Sequence, residues 1–440
     1  MIRVPWNTLP PAKRLSGALL ALCVAIAATP NAASAQASPP SRDDSLLAAY
    51  SSQLAARGEA PEAFVLERLR DHDLIVFDDG VHTSADAFDF YIELVRSREF
   101  QELAPVIFLE VLPSNRQAAL DAYFSTYPED PSLLYPAFQD DFGWPYQSYF
   151  DLLHEIYRVN RTLPAGKTIA VKAVSTPSLW GEIRGPADWA YKVDIAPLAR
   201  DYFMYALIFD GLDGFRSGRK GIFLTNTRHA YTHLKFPDGG PVKSTTGFFN
   251  LWRPGRAYSI RIDAPVLVIR AHKAAAGGAK TAAGMEDYDF GWGRTADGLW
   301  DDAFRAYGAR PVAIPLADTA FGDAPYLGNL MLSVAKGQAM RDAYDAAIFL
   351  KPFEAMRKTA KTGAIYTPAF RRELERRYRL SRTPAELAKM LKDDGVRTLR
   401  DYVAKEHRAE PSVPLPEAAA AGPIDGWRGQ AAEPARGPPS

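Results

Sequence analysis

The stretch Leu74-Ile75-Val76-Phe77-Asp78-Asp79-Gly80-Val81-His82 joins a short apolar run to a polar end that carries a histidine. Two later runs have the same form: Val106-Ile107-Phe108-Leu109 leads into Glu110, and Gly221-Ile222-Phe223-Leu224 leads into Thr225-Asn226-Thr227-Arg228-His229. Short continuous apolar runs are typical of strands buried on both faces of a parallel sheet. Ligands bind outside the carboxyl ends of such strands, so we expect His82, Glu110 and His229 to share one site.

Between residues 43 and 355, apolar runs alternate with helical periods. This pattern predicts an α/β domain with a mainly parallel central sheet flanked by helices. Further strands are predicted at Ile169–Val174, Ile222–Leu224, Tyr258–Ile262, Val312–Ile314 and Ala346–Leu350. After the first run, Thr83-Ser84-Ala85-Asp86 has the form of a capping box, which places His82 in a strand-to-helix turn.

Residues 1–35 have the pattern of a secretory signal peptide. Basic residues precede the apolar stretch from Leu15 to Ala28, and Ala33-Ser34-Ala35 resembles a signal-peptidase site. A membrane-spanning helix needs roughly 20 apolar residues, which this alanine-rich stretch lacks. We therefore expect a periplasmic or secreted protein with no integral membrane segment in its mature chain.

Composition excludes several kinds of site. Cys23 is the only cysteine and lies in the leader, so the mature chain has no disulfide, cysteine nucleophile or cysteine-ligated metal. The chain has 52 basic and 52 acidic residues, and loss of the three basic residues of the leader leaves 49 against 52. Nothing in this balance indicates a nucleic-acid partner.

The C-terminal part of the chain differs in composition from the α/β domain. Residues 356–408 are rich in Arg, Lys, Leu and Glu, and their apolar spacing predicts an extension of two or three helices. Residues 409–440 are rich in Pro, Ala and Gly, which predicts a disordered tail. Ala274–Gly284 is interpreted as a flexible loop, and residues 286–302 as an aromatic and acidic loop that either forms a substrate wall or buries its tryptophans in the core.

The acidic residues near the strand ends allow more than one interpretation. A carboxylate that ends a buried strand costs several kcal/mol unless it is paired, so Glu110 belongs either to the site or to a structural salt bridge. Asp78 and Asp79 either cap the following helix, where the helix dipole favours negative charge, or take part in the site.

These motifs together resemble the superfamily that joins erythromycin esterases, haem-binding ChaN-like proteins and the Tiki and TraB proteins. Arg200-Asp201-Tyr202-Phe203-Met204 is similar to a helical Arg-Asp-x-x-Met element of that group, and Asn226-Thr227-Arg228-His229-Ala230 follows it at the expected distance. Thr246-Gly247-Phe248-Phe249 and Tyr344-Asp345-Ala346-Ala347-Ile348 are similar to later elements. The resemblance covers roughly residues 73 to 352.

The first motif departs from the family pattern. Asp79 and Gly80 stand where the family usually has Gly-Glu, so the motif glutamate is absent and Asp79 or Asp78 is left to substitute for it. Asn226 stands where glycine is common.

The resemblance implies a hydrolase acting on an ester, lactone or amide. In that interpretation a neutral His82 accepts a proton from water, Glu110 orients its ring, and His229 protonates the leaving group. Arg200 would stabilise the oxyanion; the alternative is a helix-surface salt bridge with Asp201 or another neighbour. No cofactor is required by this mechanism.

Two alternatives use the same residues. The histidines with Glu110 and Asp78 or Asp79 could hold a divalent metal through nitrogen and oxygen ligands, although no compact ligand spacing supports this. The ChaN-like branch implies instead a non-covalent haem-binding or haem-uptake protein with histidine or tyrosine as axial ligand. The expected partner is accordingly a small-molecule substrate or haem.

Overall fold

The computed structural model describes residues 44–80, 82–103, 105–164, 166–271, 288–328 and 334–415. The predicted signal peptide and the predicted loop Ala274–Gly284 lie outside these residues, as does the predicted tail from residue 416 onward. The strands of the described part are β1 Leu74–Asp78, β2 Val106–Pro113, β3 Ala170–Ser175, β4 Gly221–Thr225, β5 Ala257–Ile262, β6 Val266–Ala271, β7 Tyr288–Gly293, β8 Val312–Pro315, β9 Ala346–Phe349, β10 Arg357–Lys358 and β11 Val413–Pro414.

The helices surround the strands along the whole described chain. They are α1 Asp44–Arg57, α2 Pro61–Asp71, α3 Ala85–Arg96, α4 Arg98–Leu103, α5 Gln117–Ser125, α6 Tyr135–Phe138, α7 Gln147–Asn160, α8 Pro186–Gly211, α9 Thr227–Ala230, α10 Thr245–Trp252, α11 Leu299–Ala306, α12 Ala320–Asp323, α13 Met340–Ala343, α14 Pro368–Ser381, α15 Pro384–Asp393 and α16 Leu399–Glu406. No helix among these described residues is both long and apolar enough to cross a membrane.

Seven strands form one central sheet in the order β3-β2-β4-β1-β5-β9-β8. Every neighbouring pair is parallel except β8 and β9 at one edge, which run antiparallel. The predicted α/β class with a mainly parallel, helix-flanked sheet is therefore confirmed.

The sheet is buried on both faces because its strands alternate between two cores. Ile75 and Phe77 of β1 belong to the core that includes α2, α3, α5 and α7. Leu74 and Val76 belong to the opposite core, with residues of α1, α8, α10 and α11. A strand with apolar neighbours on both sides needs no polar face, which explains the continuous apolar runs.

The strand order places three strand ends side by side. β4 lies between β2 and β1, with Leu109 opposite Leu224 and Asp78 opposite Thr225. Since these strands are parallel, the polar residues after them emerge at the same edge of the sheet. This edge carries the candidate site.

The three C-terminal helices pack onto the same core as α3 and α7. Phe370, Leu374 and Tyr378 of α14 and Tyr402 of α16 are buried in it. The chain remains structured past residue 409, where the sequence predicted that the disordered tail would begin. Glu410 bridges Lys361, and β11 pairs with β10.

Two local predictions are wrong. The predicted capping box has Thr83 as N-cap and Asp86 three residues later, but the N-cap of α3 is Ser84, and its side chain makes no capping bond. Asp86 instead accepts from Lys351 Nζ at 2.6 Å and from Arg357 N at 2.8 Å, so its carboxylate serves a long-range ion pair and not a local cap.

The segment expected to be a loop at residues 286–302 contains regular structure. β7 pairs with β6 in an antiparallel hairpin, and α11 follows. Trp300 is fully buried, in agreement with the alternative that this segment contributes tryptophan to the core. A long connection separates β7 from its partner β6 in sequence, so the local sequence pattern did not identify this pair of strands.

Candidate functional site

Glu110 lies at the centre of the site, in β2 and almost fully buried. Its Oε2 accepts from Thr225 Oγ1 at 2.7 Å and from the backbone N–H of Asn226 at 3.2 Å. Its Oε1 accepts from Arg200 Nη2 at 2.7 Å. The carboxylate therefore joins β2 to the end of β4 and to helix α8.

Each carboxylate oxygen of Glu110 also faces a histidine. His82 Nε2 lies 3.3 Å from Oε2, and His229 Nε2 lies 3.3 Å from Oε1. The structure thus brings together the three residues that the strand ends singled out.

A second carboxylate holds the far nitrogen of each histidine. Asp79 Oδ2 lies 3.0 Å from His82 Nδ1, and Asp201 Oδ1 lies 2.7 Å from His229 Nδ1. The result is a continuous chain of alternating acids and imidazoles, Asp79–His82–Glu110–His229–Asp201, which we call the five-residue relay. Asp79 thus supplies the carboxylate that contacts His82 Nδ1.

Helix α8 contributes two consecutive residues to this arrangement. Arg200 pairs with Glu110, and Asp201 bonds His229 and also accepts from the N–H and the hydroxyl of Thr245 at 2.7 and 2.8 Å. The alternative in which Arg200 forms a surface salt bridge with Asp201 is wrong, because the two side chains serve different partners.

Electrostatics fixes the charges of Glu110 and His82. Burial alone would raise the pKa of Glu110, but the positive charges of His229, Arg200 and His82 hold it well below its usual range. Burial alone would lower the pKa of His82, but the negative charges of Asp79 and Glu110 raise it to about 10. His82 is therefore an imidazolium at neutral pH, and the expectation that it is neutral is wrong.

The pKa of Asp79 is shifted in the opposite direction from that of Glu110. Burial raises its pKa to about 6, although the charge of His82 opposes the shift. Its Oδ1 atom is buried and has no hydrogen-bond partner among the described residues.

His229 has close partners at both ring nitrogens. Nδ1 lies 2.7 Å from Asp201 Oδ1 and Nε2 lies 3.3 Å from Glu110 Oε1, while Arg228 Nε also lies 3.3 Å from Nε2. The ring therefore faces two carboxylates, which accept, and one guanidinium, which donates.

Exposure to solvent differs among the residues of the site. The side chains of His82 and Arg200 are 13% and 16% exposed, whereas those of Glu110 and His229 are 3% and 1% exposed. Arg200 Nε is buried and has no hydrogen-bond partner in the described part of the chain. Solvent therefore reaches His82 and part of Arg200 but hardly reaches Glu110 and His229.

Sequence reasoning gave no role to two aromatic residues beside His82. Tyr149 OH lies 3.3 Å from His82 Nδ1, and the Trp144 ring packs edge-on against the imidazole with centroids 5.2 Å apart. Trp144 lies just before α7 and Tyr149 lies within it, and neither follows an apolar strand that would indicate a site. Asp201 belongs to the Arg-Asp-x-x-Met motif, but no role in the site was predicted for it.

Neither Asp78 nor Asp79 caps the helix that follows. Helix α3 begins at Ala85, and Asp78 is fully buried beneath the site. Among the described residues, no group of three or more His, Cys, Asp or Glu side chains is arranged to hold a metal ion. Glu110 contacts the two imidazoles directly instead.

The sequence matches no family model and no curated protein. The structure is similar to that of an erythromycin esterase mutant in its open conformation, with a TM-score of 0.41 and 11% identity over 65% of this chain and 92% of that one. It is similar to a succinoglycan biosynthesis protein, with a TM-score of 0.48 and 8% identity over 71% and 98% of the two chains. It is also similar to a Bacillus cereus protein, with a TM-score of 0.42 and 11% identity over 69% and 97%. At this similarity the three structures assign neither a reaction nor a ligand to this chain.

Proposed function

We propose that this protein is a hydrolase that uses water to cleave an ester, lactone or amide. The observation that carries the proposal is the five-residue relay. In it the buried carboxylate of Glu110 lies between two imidazoles, and each imidazole has its own further carboxylate, Asp79 for His82 and Asp201 for His229. Orientation of a histidine through Nδ1 by a carboxylate is a recurring device of acid–base catalysis. The resemblance of the sequence motifs to the erythromycin esterase group agrees with this chemistry.

The raised pKa of His82 assigns the roles of the two histidines. The His82 imidazolium carries the proton that the leaving group needs, so His82 is the general acid. His229 is left as the base that takes a proton from water, and the carboxylates of Glu110 and Asp201 on its two sides stabilise the imidazolium that forms. These roles are the reverse of those inferred from the sequence.

Arg200 supplies the remaining function. Its Nη2 is held by Glu110, and its side chain is 16% exposed, so we assign the solvent-facing part of the guanidinium to the oxyanion that forms when water attacks a carbonyl. Such preorganised donors contribute a few kcal/mol to transition-state stabilisation.

The haem alternative makes a different prediction for the same residues. To bind haem iron as an axial ligand, His82 or His229 would exchange a carboxylate contact within 3.3 Å of a ring nitrogen for a bond to iron. The purified protein should show no Soret band when haem is added, and such a band that disappears in His82→Asn would favour the carrier.

The leader sequence supports a further part of the proposal. We assign residues 1–35 to an export signal, residues 43–355 to the catalytic domain and residues 356–408 to its helical extension, with the hydrolase acting in the periplasm or outside the cell.

The first prediction tests the histidines on a panel of esters, lactones and amides. His82→Asn and His229→Asn should each lower kcat/KM by roughly 10²–10⁴-fold on any substrate that wild type cleaves, because each removes one proton transfer. His154→Asn is the matched control, since His154 is half exposed and pairs with Glu129 at 2.8 Å, a residue that is not part of the site. Turnover that survives in either site variant, or falls equally in the control, would remove the histidines from the mechanism.

A further inference from the structure

Asp78 is a buried charge that the proposed mechanism does not use. It is the last residue of β1 and is 0% exposed. Burial raises its pKa, while Arg261 and several hydrogen bonds oppose the shift. A buried carboxylate costs several kcal/mol unless its charge and its lone pairs are satisfied.

One oxygen of Asp78 connects the turns that carry the two histidines. Its Oδ1 accepts from the backbone N–H of Gly80 at 2.8 Å and from the backbone N–H of Thr227 at 2.8 Å. Gly80 lies in the turn that leads to His82, and Thr227 is the first residue of α9, which contains His229. Thr227 is 149 residues from Asp78 in sequence, so one acceptor joins two segments that are distant along the chain.

The partners of the other oxygen, Oδ2, hold the Asp78 carboxylate in place from within the sheet. Tyr344 donates its hydroxyl to Asp78 Oδ2, and Nη1 of the fully buried Arg261 lies 4.0 Å away. Arg261 lies on β5 in register with Asp78 on β1, so the charge pair is built into the sheet. The carboxylate is thus fixed on one side by the sheet and presents Oδ1 to the two turns.

We propose that Asp78 is a positioning residue that sets the placement of His82 relative to His229 through these two backbone bonds. The inference rests on the proposed function, because the spacing of the imidazoles across Glu110 matters only if both transfer protons. A misplacement of about 1 Å in such a constellation can cost on the order of 10²-fold in rate. Asp78 touches no substrate and acts only through the turns.

Thr227→Pro in the full-length protein tests one of the two backbone bonds to Asp78, the bond from Thr227 N–H. Proline removes the N–H donor to Asp78, and the first position of a helix tolerates it because that N–H makes no intrahelical bond. Asn226 before it is already extended, as a residue before proline requires. Thr227→Ala is the matched control, since it also loses the hydroxyl but keeps the N–H.

Imidazole ¹⁵N NMR of histidine-labelled protein reads the two rings without any substrate. We expect Thr227→Pro to shift or broaden the His229 signals while His82 keeps its wild-type signals, and Thr227→Ala to leave both rings as in wild type. On a cleaved substrate, kcat of the proline variant should fall at least tenfold below that of the alanine variant with KM nearly unchanged. Unchanged His229 signals in the proline variant would overturn the proposal.

Asp78→Ala removes both backbone bonds and should disturb both histidines. Tyr344→Phe removes one contact of Oδ2 but keeps Arg261 and both backbone bonds to Oδ1, so it should disturb the rings less than Asp78→Ala or Thr227→Pro does. If Asp78→Ala does not fold, the proline and alanine pair at residue 227 decides alone. Equal disturbance of the rings in Tyr344→Phe and Thr227→Pro would show a general loss of packing and refute a specific connection. If no variant and no wild-type sample hydrolyses anything, the proposed function fails, but the NMR pattern still decides the role of Asp78.

Discussion

Glu110 illustrates at the scale of one residue how a buried carboxylate is kept charged. Arg200, Thr225, the Asn226 N–H and two imidazoles surround it, so its lone pairs and its charge are satisfied together. The sequence left open whether Glu110 orients a histidine or forms a structural salt bridge. In the structure the same carboxylate atoms do both.

Replacement of Glu110 by Gln should therefore affect both stability and turnover. The amide keeps the shape but leaves Arg200 without its counter-charge, and breaking a buried pair typically costs about 3–5 kcal/mol. The same change removes the charge that stabilises protonated His229, so turnover per folded molecule should fall by orders of magnitude. Denaturant unfolding and turnover measured on one sample check both effects, and turnover retained by the folded fraction would leave Glu110 with a structural role only.

Asp79→Asn should change how the protein responds to alkaline pH. In wild type the pKa of His82 is raised from 6.5 to about 10, so its ion pairs contribute stability fully below about pH 6.5 and lose it as the pH rises through about 10. The negative charge of Asp79 is the largest of the causes that raise this pKa, so the variant should titrate His82 at lower pH. Histidine NMR titration measures this directly, and the alkaline limb of kcat/KM should move to lower pH with it.

The matched control for that titration is Glu129→Gln, which removes a carboxylate from His154 and leaves the relay untouched. A pKa of His82 that is the same in Asp79→Asn as in wild type would contradict the assignment of Asp79 as its charge partner.

At the scale of elements, the turn between β1 and α3 depends on Gly80. Its φ is +64°, and a Cβ there would lie 3.1 Å from the Cβ of Ala264 and 3.3 Å from the carbonyl oxygen of Ile262. The left-handed conformation lets the chain reverse so that Asp79 and His82 can meet.

Gly80→Ala should destabilise the protein and misplace His82. We expect a loss of roughly 1–3 kcal/mol from the strained φ and the close contacts together, with a large fall in activity. Gly239→Ala is the control, because its φ is +83° but nothing lies within 4 Å of the added carbon. Thermal melts of the two variants should differ by the contact cost, and an equal loss in both would show that the space beside Ala264 is not limiting.

At the scale of the whole molecule, the C-terminal helices belong to the same core as the sheet. Leu374 of α14 is 0% exposed and lies in the cluster that also contains Phe77 and Leu109 of the central strands. The proposed division into a catalytic domain and an extension is thus a division of sequence, while the packing is continuous.

Leu374→Ala should lower the free energy of unfolding by about 2–5 kcal/mol, because it leaves a cavity in this shared core. Leu387→Ala on α15 should cost much less, since Leu387 is only partly buried. Both variants should unfold in a single transition by calorimetry. A separate low-temperature transition in Leu374→Ala would mean that the helices form an independent unit.

Local sequence by itself determined the seven strands of the central sheet and the residues at their ends. Continuous apolar runs identify buried parallel strands because apolar area must leave water whatever the strand order, and polar residues that interrupt them are conspicuous. His82, Glu110 and His229 were predictable for this reason, and Arg200 because its motif resembles a known one.

Only the tertiary structure decided the strand order, the partners and the charges. Asp201, Tyr149 and Trp144 lie on helices or loops whose local patterns are ordinary, and long-range packing brings them to the histidines. The capping box predicted for Thr83 and Asp86 does not form, because a lysine distant in sequence binds the Asp86 carboxylate. The protonation of His82 depends on two carboxylates that converge only in the fold, since a pKa reports the sum of nearby charges and burial and not the residue type.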